Sequence, residues 1–339
     1  MCIRDRHTWL NDPYLALGAQ VRLRRNVDDL PFGPRLQEAQ ALGLLHRAED
    51  ASKRASGAEM VLVPLQDLSP DCRQALVAQG LISRDMERKN PCGLIWGRDK
   101  GLELLVNGEE HLTIQAQGEA PDLEPLLKKA MDLETLLEES LDFSYDEKWG
   151  YLTQDPQHIG TGLQASVVLH LPLLTRTGQI KNVAAAARRV GIKMENTPGR
   201  KESYRLLNQA TLGMDEESII HKVNEAAQGI LSREMAWRQA FRRQHPGVME
   251  DRVWRAMGIA RCARRMDWEE GQLAVSQLRL GASQDILPGF SPGELMRLEE
   301  EIHPALLTLG AGRSLSPQEE EEARARCFRR VLSQKPLED

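Results

Sequence analysis

Tyr145-Asp146-Glu147-Lys148-Trp149-Gly150-Tyr151-Leu152-Thr153, then Pro156, then Gly160-Thr161-Gly162-Leu163, is the stretch on which the reading of this chain turns. It leads into the apolar run Val167-Val168-Leu169-His170-Leu171, which stops at Pro172 and reads as a strand. Upstream, Leu102–Val106 and His111–Gln115 read as two strands around a tight turn, Asn107-Gly108-Glu109. Downstream, the segment from Gly191 to Lys201 is polar and rich in Pro and Gly, and reads as a mobile loop. From Asp215 the pattern changes. Asp215-Glu216-Glu217-Ser218 opens a long amphipathic helix to about Arg243, its acidic start favoured by the helix dipole. His245-Pro246-Gly247 breaks it, and helices follow near 249–266, 268–279, 291–309 and 316–333. Pro317-Gln318-Glu319-Glu320-Glu321-Glu322 reads as the start of the last helix, with a solvated acidic face. A mixed α/β region followed by an all-α region is therefore expected.

Composition narrows the partners. The formal net charge of −6 argues against nucleic acid as a partner of the whole chain. No run approaches the ~20 apolar residues of a membrane span, and the start has no apolar segment of a secretory signal. Met1-Cys2-Ile3-Arg4-Asp5-Arg6 joins poorly to the residues after it and reads as foreign sequence. Cys2, Cys72, Cys92, Cys262 and Cys327 form no CxxC pair, so reduced thiols in a cytoplasmic protein are expected, not a zinc knuckle or disulfide framework.

Three stretches together carry a resemblance. The Tyr145–Leu163 segment, Val106-Asn107-Gly108-Glu109-Glu110-His111-Leu112, and Val21-Arg22-Leu23-Arg24-Arg25-Asn26 with Pro31-Phe32 resemble the signatures of ATP:guanidino phosphotransferases. Leu207-Asn208-Gln209-Ala210-Thr211-Leu212-Gly213, Asp251-Arg252-Val253-Trp254-Arg255-Ala256 and Ser276–Gly281 are similar to the bacterial protein-arginine kinases in particular. The likeness runs in order from about residue 8 to 333. It implies an α+β catalytic domain over 7–235, an antiparallel sheet flanked by helices. It also implies an all-α domain over 246–335 for dimerisation and phosphoarginine binding. MgATP is the implied nucleotide.

Phosphoryl transfer asks a protein chiefly to position groups and neutralise phosphate charge. Arginine suits this because its planar guanidinium grips oxygens bidentately and keeps its charge. The resemblance implies five nucleotide arginines, at positions that here hold Gln20, Arg22, Thr113, Gln164 and, near the glycine-rich loop, Val190. Arg22, Gln164 and His158 are the candidate nucleotide-binding residues. Arg24, Lys193, Arg200, Lys201 and Arg205 lie nearby in sequence and read as solvated surface charge. Glu109 falls on the implied catalytic glutamate, framed by Asn107 and His111, with Gly108 and Glu110 beside it. Asp155 stands where the resemblance implies a reactive cysteine. Within the implied glycine-rich loop, now Met194-Glu195-Asn196-Thr197-Pro198-Gly199, only Glu195 matches. The implied phosphoarginine-reading stretch falls on Glu320–Ala325, with Glu321 and Arg324 as candidates and Glu320 in place of an arginine.

A kept scaffold with a thinned phosphate clamp leads to the expectation of a degenerate pseudokinase with a regulatory or scaffold role, since fold does not fix function. The alternative is an active protein-arginine kinase with a rebuilt ATP site. Expected partners are protein substrates, or a regulatory partner such as an active protein-arginine kinase or the Clp degradation system. A homodimer is expected because Val253, Trp254, Met257, Leu273, Leu278, Leu306 and Leu307 exceed what one small helical module buries alone.

Overall fold

Alternation along Ala16–Arg25 (β1) organises the sheet. Ala19, Val21 and Leu23 enter the apolar core, and Gln20, Arg22 and Arg24 take the other face. The computed structural model describes residues 10–56, 60–87, 91–97, 101–119, 121–333 and 335. The opening Met1–Arg6 segment lies outside them. After β1 come α1 (Glu38–Ser56), β2 (Val61–Pro64), α2 (Pro70–Ala78), β3 (Gly93–Trp96), β4 (Leu102–Val106), β5 (Leu112–Gly118) and α3 (Leu123–Glu138). A small hairpin, β6 (Tyr145–Asp146) and β7 (Gly150–Tyr151), precedes β8 (Leu163–His170), α4 (Pro172–Arg176), α5 (Ile180–Arg189), β9 (Ile192–Asn196) and β10 (Ser203–Asn208). The remainder is helical: α6 (Glu216–Gln244), α7 (Pro246–Cys262), α8 (Trp268–Ser283), α9 (Pro292–Glu301), α10 (Pro304–Ala311) and α11 (Pro317–Leu332).

Eight strands form one sheet in the order β2-β3-β4-β5-β1-β8-β10-β9, every neighbour antiparallel. Helices α1, α3 and α6 cover the apolar face, where Leu44, Leu133 and Val223 pack with Val21, Ile114 and Val167. Each buried aliphatic side chain of this kind contributes ~1.5–3 kcal/mol. At the β3–β4 end of the opposite face, Ile82, Met86, Leu94 and Leu105 seat the α2 layer. A third apolar cluster joins α7, α8, α9 and α11 through Val253, Met257, Leu278, Leu298 and Phe328.

Three expectations are corrected. The segment read as a loop from Gly191 contains strand β9, paired with β10 from Ile192↔Asn208 to Asn196↔Tyr204. Alternating Ile192 and Met194 against the core explains the strand. The helix read over 291–309 is two, because Pro304 starts α10 and His303 caps it. Val253, Met257 and Leu278 fill the helical region's own core, while Leu273 stays exposed. The last helix begins as read, in a capping box of Ser316 and Glu319. Among the described residues no helix is long and apolar enough to cross a membrane.

Buried ion pairs tie the helical region to the sheet. Glu234 and Arg238 of α6 are both fully buried and 2.8 Å apart. Glu234 accepts the amides of Leu173 (3.1 Å) and Leu174 (2.9 Å), and Arg238 donates to Ser283 Oγ at 2.8 Å and the His170 carbonyl at 3.3 Å. Removing one partner strands the other charge in the interior. Glu234→Ala should therefore cost ~3–5 kcal/mol in urea unfolding, with Glu234→Gln clearly less damaging.

Candidate functional site

The polar face of the sheet is built in cross-strand rows. One row is Glu103, Gln115, Arg22 and Gln164 on β4, β5, β1 and β8. The next is Gln117, Gln20, Ser166, Leu207 and Lys193. Thr113 and Arg24 form a row on one side, and Val168, Arg205 and Glu195 one on the other. Cross-strand partners on one face are close enough for side chains to meet. Arg22 Nε donates to Gln115 Oε1 at 2.8 Å, Gln20 to Gln117 at 3.2 Å, and Arg24 Nη2 to Gln164 Oε1 at 3.2 Å. Gln115 in turn donates to the Gly80 carbonyl beyond α2 at 3.0 Å, so the α2 layer reaches over the floor.

Glu109 sits at the rim of this floor on the β4–β5 turn. Asn107 holds that turn with φ of 59°, and its amide group donates to the Ala41 and Pro91 carbonyls. His111 accepts the Val27 amide at 3.1 Å and donates its own amide to Asn26 Oδ1 at 2.9 Å. The Glu109 side chain is 48% exposed and lies 3.8 Å from Arg24 Nε. Burial raises its pKa against the pull of Arg24, and Glu110, Asp155 and Asp85 raise it further. A carboxylate raised in this way is better suited to take a proton near neutral pH.

Glu110 has a different task. It is buried, and it accepts Asn26 Nδ2 at 2.6 Å and the amides of Gln154 (2.9 Å) and Asp155 (3.3 Å). It thereby fixes the segment that carries Asp155 and His158. Asp155 caps the turn after it by accepting the Gln157 amide, and lies 3.6 Å from His158 Nδ1. Gly162 makes the return to β8 possible. At φ of 64° a Cβ there would meet Arg25 Nη1 at 2.5 Å and the Arg24 carbonyl at 2.6 Å. Arg25 itself serves the fold, bonded to Glu134 at 2.5 Å and stacked 3.4 Å from the Tyr151 ring centroid.

Arg22, Gln164, His158, Glu109 and Asp155 are thus gathered around one floor. Glu321 and Arg324 lie apart, on α11. Arg324 is enclosed, donating to the carbonyls of Ile302 (3.1 Å) and Met266 (3.0 Å), with Glu320 at 3.6 Å and the Trp268 ring at 5.4 Å. Glu321 pairs with Arg265 at 2.7 Å. Among the described residues no group of three His, Cys, Asp or Glu side chains could hold a metal ion.

With this geometry the chain can be compared with known proteins. The family of the ATP:guanido phosphotransferase C-terminal catalytic domain matches residues 45–237. That of the protein-arginine kinase McsB C-terminal domain matches 246–339. The protein-arginine kinase of Moorella thermoacetica is 35% identical over 331 residues, 94% of each chain. That of Caldanaerobacter subterraneus subsp. tengcongensis is 34% identical over 96% of this chain and 98% of its own. The chain belongs to the protein-arginine kinase family. A duplicated taurocyamine kinase from Schistosoma mansoni shares the fold, with a TM-score of 0.61 at 24% identity. That match covers 69% of this chain and about a third, 34%, of the other.

For a protein-arginine kinase family member, the arginines set aside as surface charge need correction. Arg24 is buried, Arg200 pairs with Glu299 at 3.2 Å, and Arg205 lies on the floor between Val168 and Glu195. Lys193, at the β9 edge of the floor, and Lys201 are about half-exposed, paired with Glu195 and Glu269. The signal available in sequence was the alternation of Gln20, Arg22 and Arg24 along one strand face. Glu110 had no such signal, since its partners come from residues 26 and 154–155.

His158 supplies a pH test of this arrangement. Burial first, and the neighbouring Arg24 second, lower its pKa from 6.5 to about 4, against the opposing pull of Asp155. The unfolded chain therefore takes up this proton before the folded one, and stability falls as pH drops from 6.5 towards 4. His158→Asn should flatten the fall of melting temperature across that window, measured by thermal unfolding in a pH series.

Proposed function

We propose that this chain transfers the γ-phosphoryl group of MgATP to arginine side chains of protein substrates. The observation that carries the reading is Glu109, held half-exposed on a fixed turn with its pKa raised, at the rim of a cationic floor. In the reaction the bond from the γ-phosphorus to its bridging oxygen breaks and a P–N bond forms to a guanidino nitrogen. That nitrogen's proton passes to Glu109, leaving ADP and phosphoarginine. Asp155 supplies a second carboxylate for the incoming guanidinium, and His158, neutral at pH 7, adds no charge to oppose it. Magnesium arrives with the nucleotide in this reading.

A second reading, a pseudokinase acting as scaffold or regulator of an active protein-arginine kinase or of the Clp degradation system, has its own support. Gln20, Thr113 and Gln164 are neutral on the floor, and Glu320 stands beside Arg324 in the helical region. A homodimer and a cytoplasmic setting fit either reading.

Phosphoarginine formation on a generic protein substrate separates the two. The kinase reading expects a signal that requires MgATP and drops ~100-fold or more in Glu109→Gln, as loss of a general base does. No signal above background from the folded parent protein would favour the pseudokinase.

A further inference from the structure

The guanidinium groups of Arg22, Arg24 and Arg205 share the floor, and the carboxylate across from Arg205, Glu195 on β9, is itself paired with Lys193. Burial first, then Arg24 and Arg205, lower the Arg22 pKa to about 9, so it stays charged at neutral pH. Its hydrogen bond goes to neutral Gln115. Arg24 Nη1 and Arg205 Nε are enclosed and have no hydrogen-bond partner among the described residues. Among the described residues Arg24 pairs with Glu109, at 3.8 Å and half in solvent. An enclosed cation without an acceptor is costly, and a row of them is more so. A bound anion would relieve that cost.

The groups also have an order. Arg24 adjoins Glu109 at the reacting rim. Arg22 follows two residues back on β1, and Arg205 lies two strands away, opposite Val168 towards the β9 edge. A single phosphate would satisfy one end of this line and leave the other bare. An extended chain of phosphates matches all of it. We infer that Arg24 and Arg205 are phosphate ligands of this chain, with Arg22 between them. The triphosphate then runs from its γ-phosphate at Arg24 to its α-phosphate at Arg205. Neither residue stands where an arginine was expected from the family likeness. Arg24 Nη2 is 3.2 Å from Gln164 Oε1, so β1 delivers a guanidinium to the space that residue 164 on β8 would otherwise fill. Gly80 beyond α2 bonds Gln115 on this floor, and α10 rests on α2.

This assignment rests on the kinase reading above, and calorimetry with MgATP and MgADP on the full chain tests the two separately. Arg24→Gln is expected to weaken MgATP about tenfold or more and MgADP much less, because its contact is to the γ-phosphate. Arg205→Gln should weaken both nucleotides alike. Arg24→Gln combined with Gln164→Arg should recover a substantial part of the lost affinity. Without nucleotide, Arg205→Gln should cost little in melting temperature, since the Arg205 Nε makes no hydrogen bond among the described residues; an arginine held for structure would show a clear loss. Parent-like MgATP binding in both single variants would overturn the phosphate assignment and leave the kinase reading standing. A folded parent that binds no MgATP would sink both.

Discussion

Strand β1 lies at the centre of the sheet and has to satisfy two incompatible surroundings at once. Its period of two sends Ala19, Val21 and Leu23 into the largest apolar core and Gln20, Arg22 and Arg24 onto the opposite face. The first set is stabilised by exclusion of water and fixes the register with β5 and β8. The second set carries the charge on which any phosphate chemistry must rely. A one-residue slip would exchange the two sets and destroy both. The core therefore guarantees the position of the arginines to within a side chain's own flexibility, and the chemistry inherits its precision from packing.

The helical region is joined to that sheet through charge as well as through apolar contact. The turn between β9 and β10 holds Glu202 at φ of 57°, a conformation that costs a non-glycine residue energy unless its surroundings enforce it. They do so here: Arg176 binds its carboxylate through two nitrogens at 2.7 and 3.0 Å, and Ser276 and Gln277 of α8 donate to it as well. Arg200, two residues earlier, meets Glu299, which Arg279 also holds at 3.0 Å. The tip of the hairpin is thus fastened to α8 and α9, while its stem carries Arg205 and Glu195 on the floor. Strands transmit displacement stiffly, so the floor's outer edge is set partly by the helical region.

The sheet, its flanking helices and the helical tail were legible because they follow from periodicity and from stretches of continuous resemblance. The turn at Asn107–Glu109 was legible for a local reason, turn residues between two apolar runs, and the glycines at 160 and 162 through the resemblance. What was not legible depended on groups distant in sequence. Pairing between β9 and β10 was hidden because polar residues and Pro198 made Gly191–Lys201 look irregular, whereas Ile192, buried, and Met194, partly buried, alternate as a strand's apolar positions must. The role of Glu110 depends on amides more than forty residues away. The burial of Arg24 and the enclosure of the Arg205 Nε depend on what lies across the sheet from them, which no local pattern contains.

That last difference bears on how loss of a functional residue is judged. A position-by-position comparison counts Gln20, Thr113 and Gln164 as missing charges. A sheet face, however, is a surface, and neighbouring strands are about 4.8 Å apart. An arginine side chain is longer than that spacing, so a guanidinium rooted on one strand can occupy the space served by the next. Arg24 on β1 does so when it bonds the Gln164 side chain on β8. Glutamine at the vacated position is well matched to this exchange, because its carbonyl oxygen accepts from the arriving guanidinium without neutralising it. Charge on this floor is therefore a property of the face and not of any single column of the sequence. The number of guanidinium groups that converge there, not the positions that hold them, determines whether phosphate can be bound.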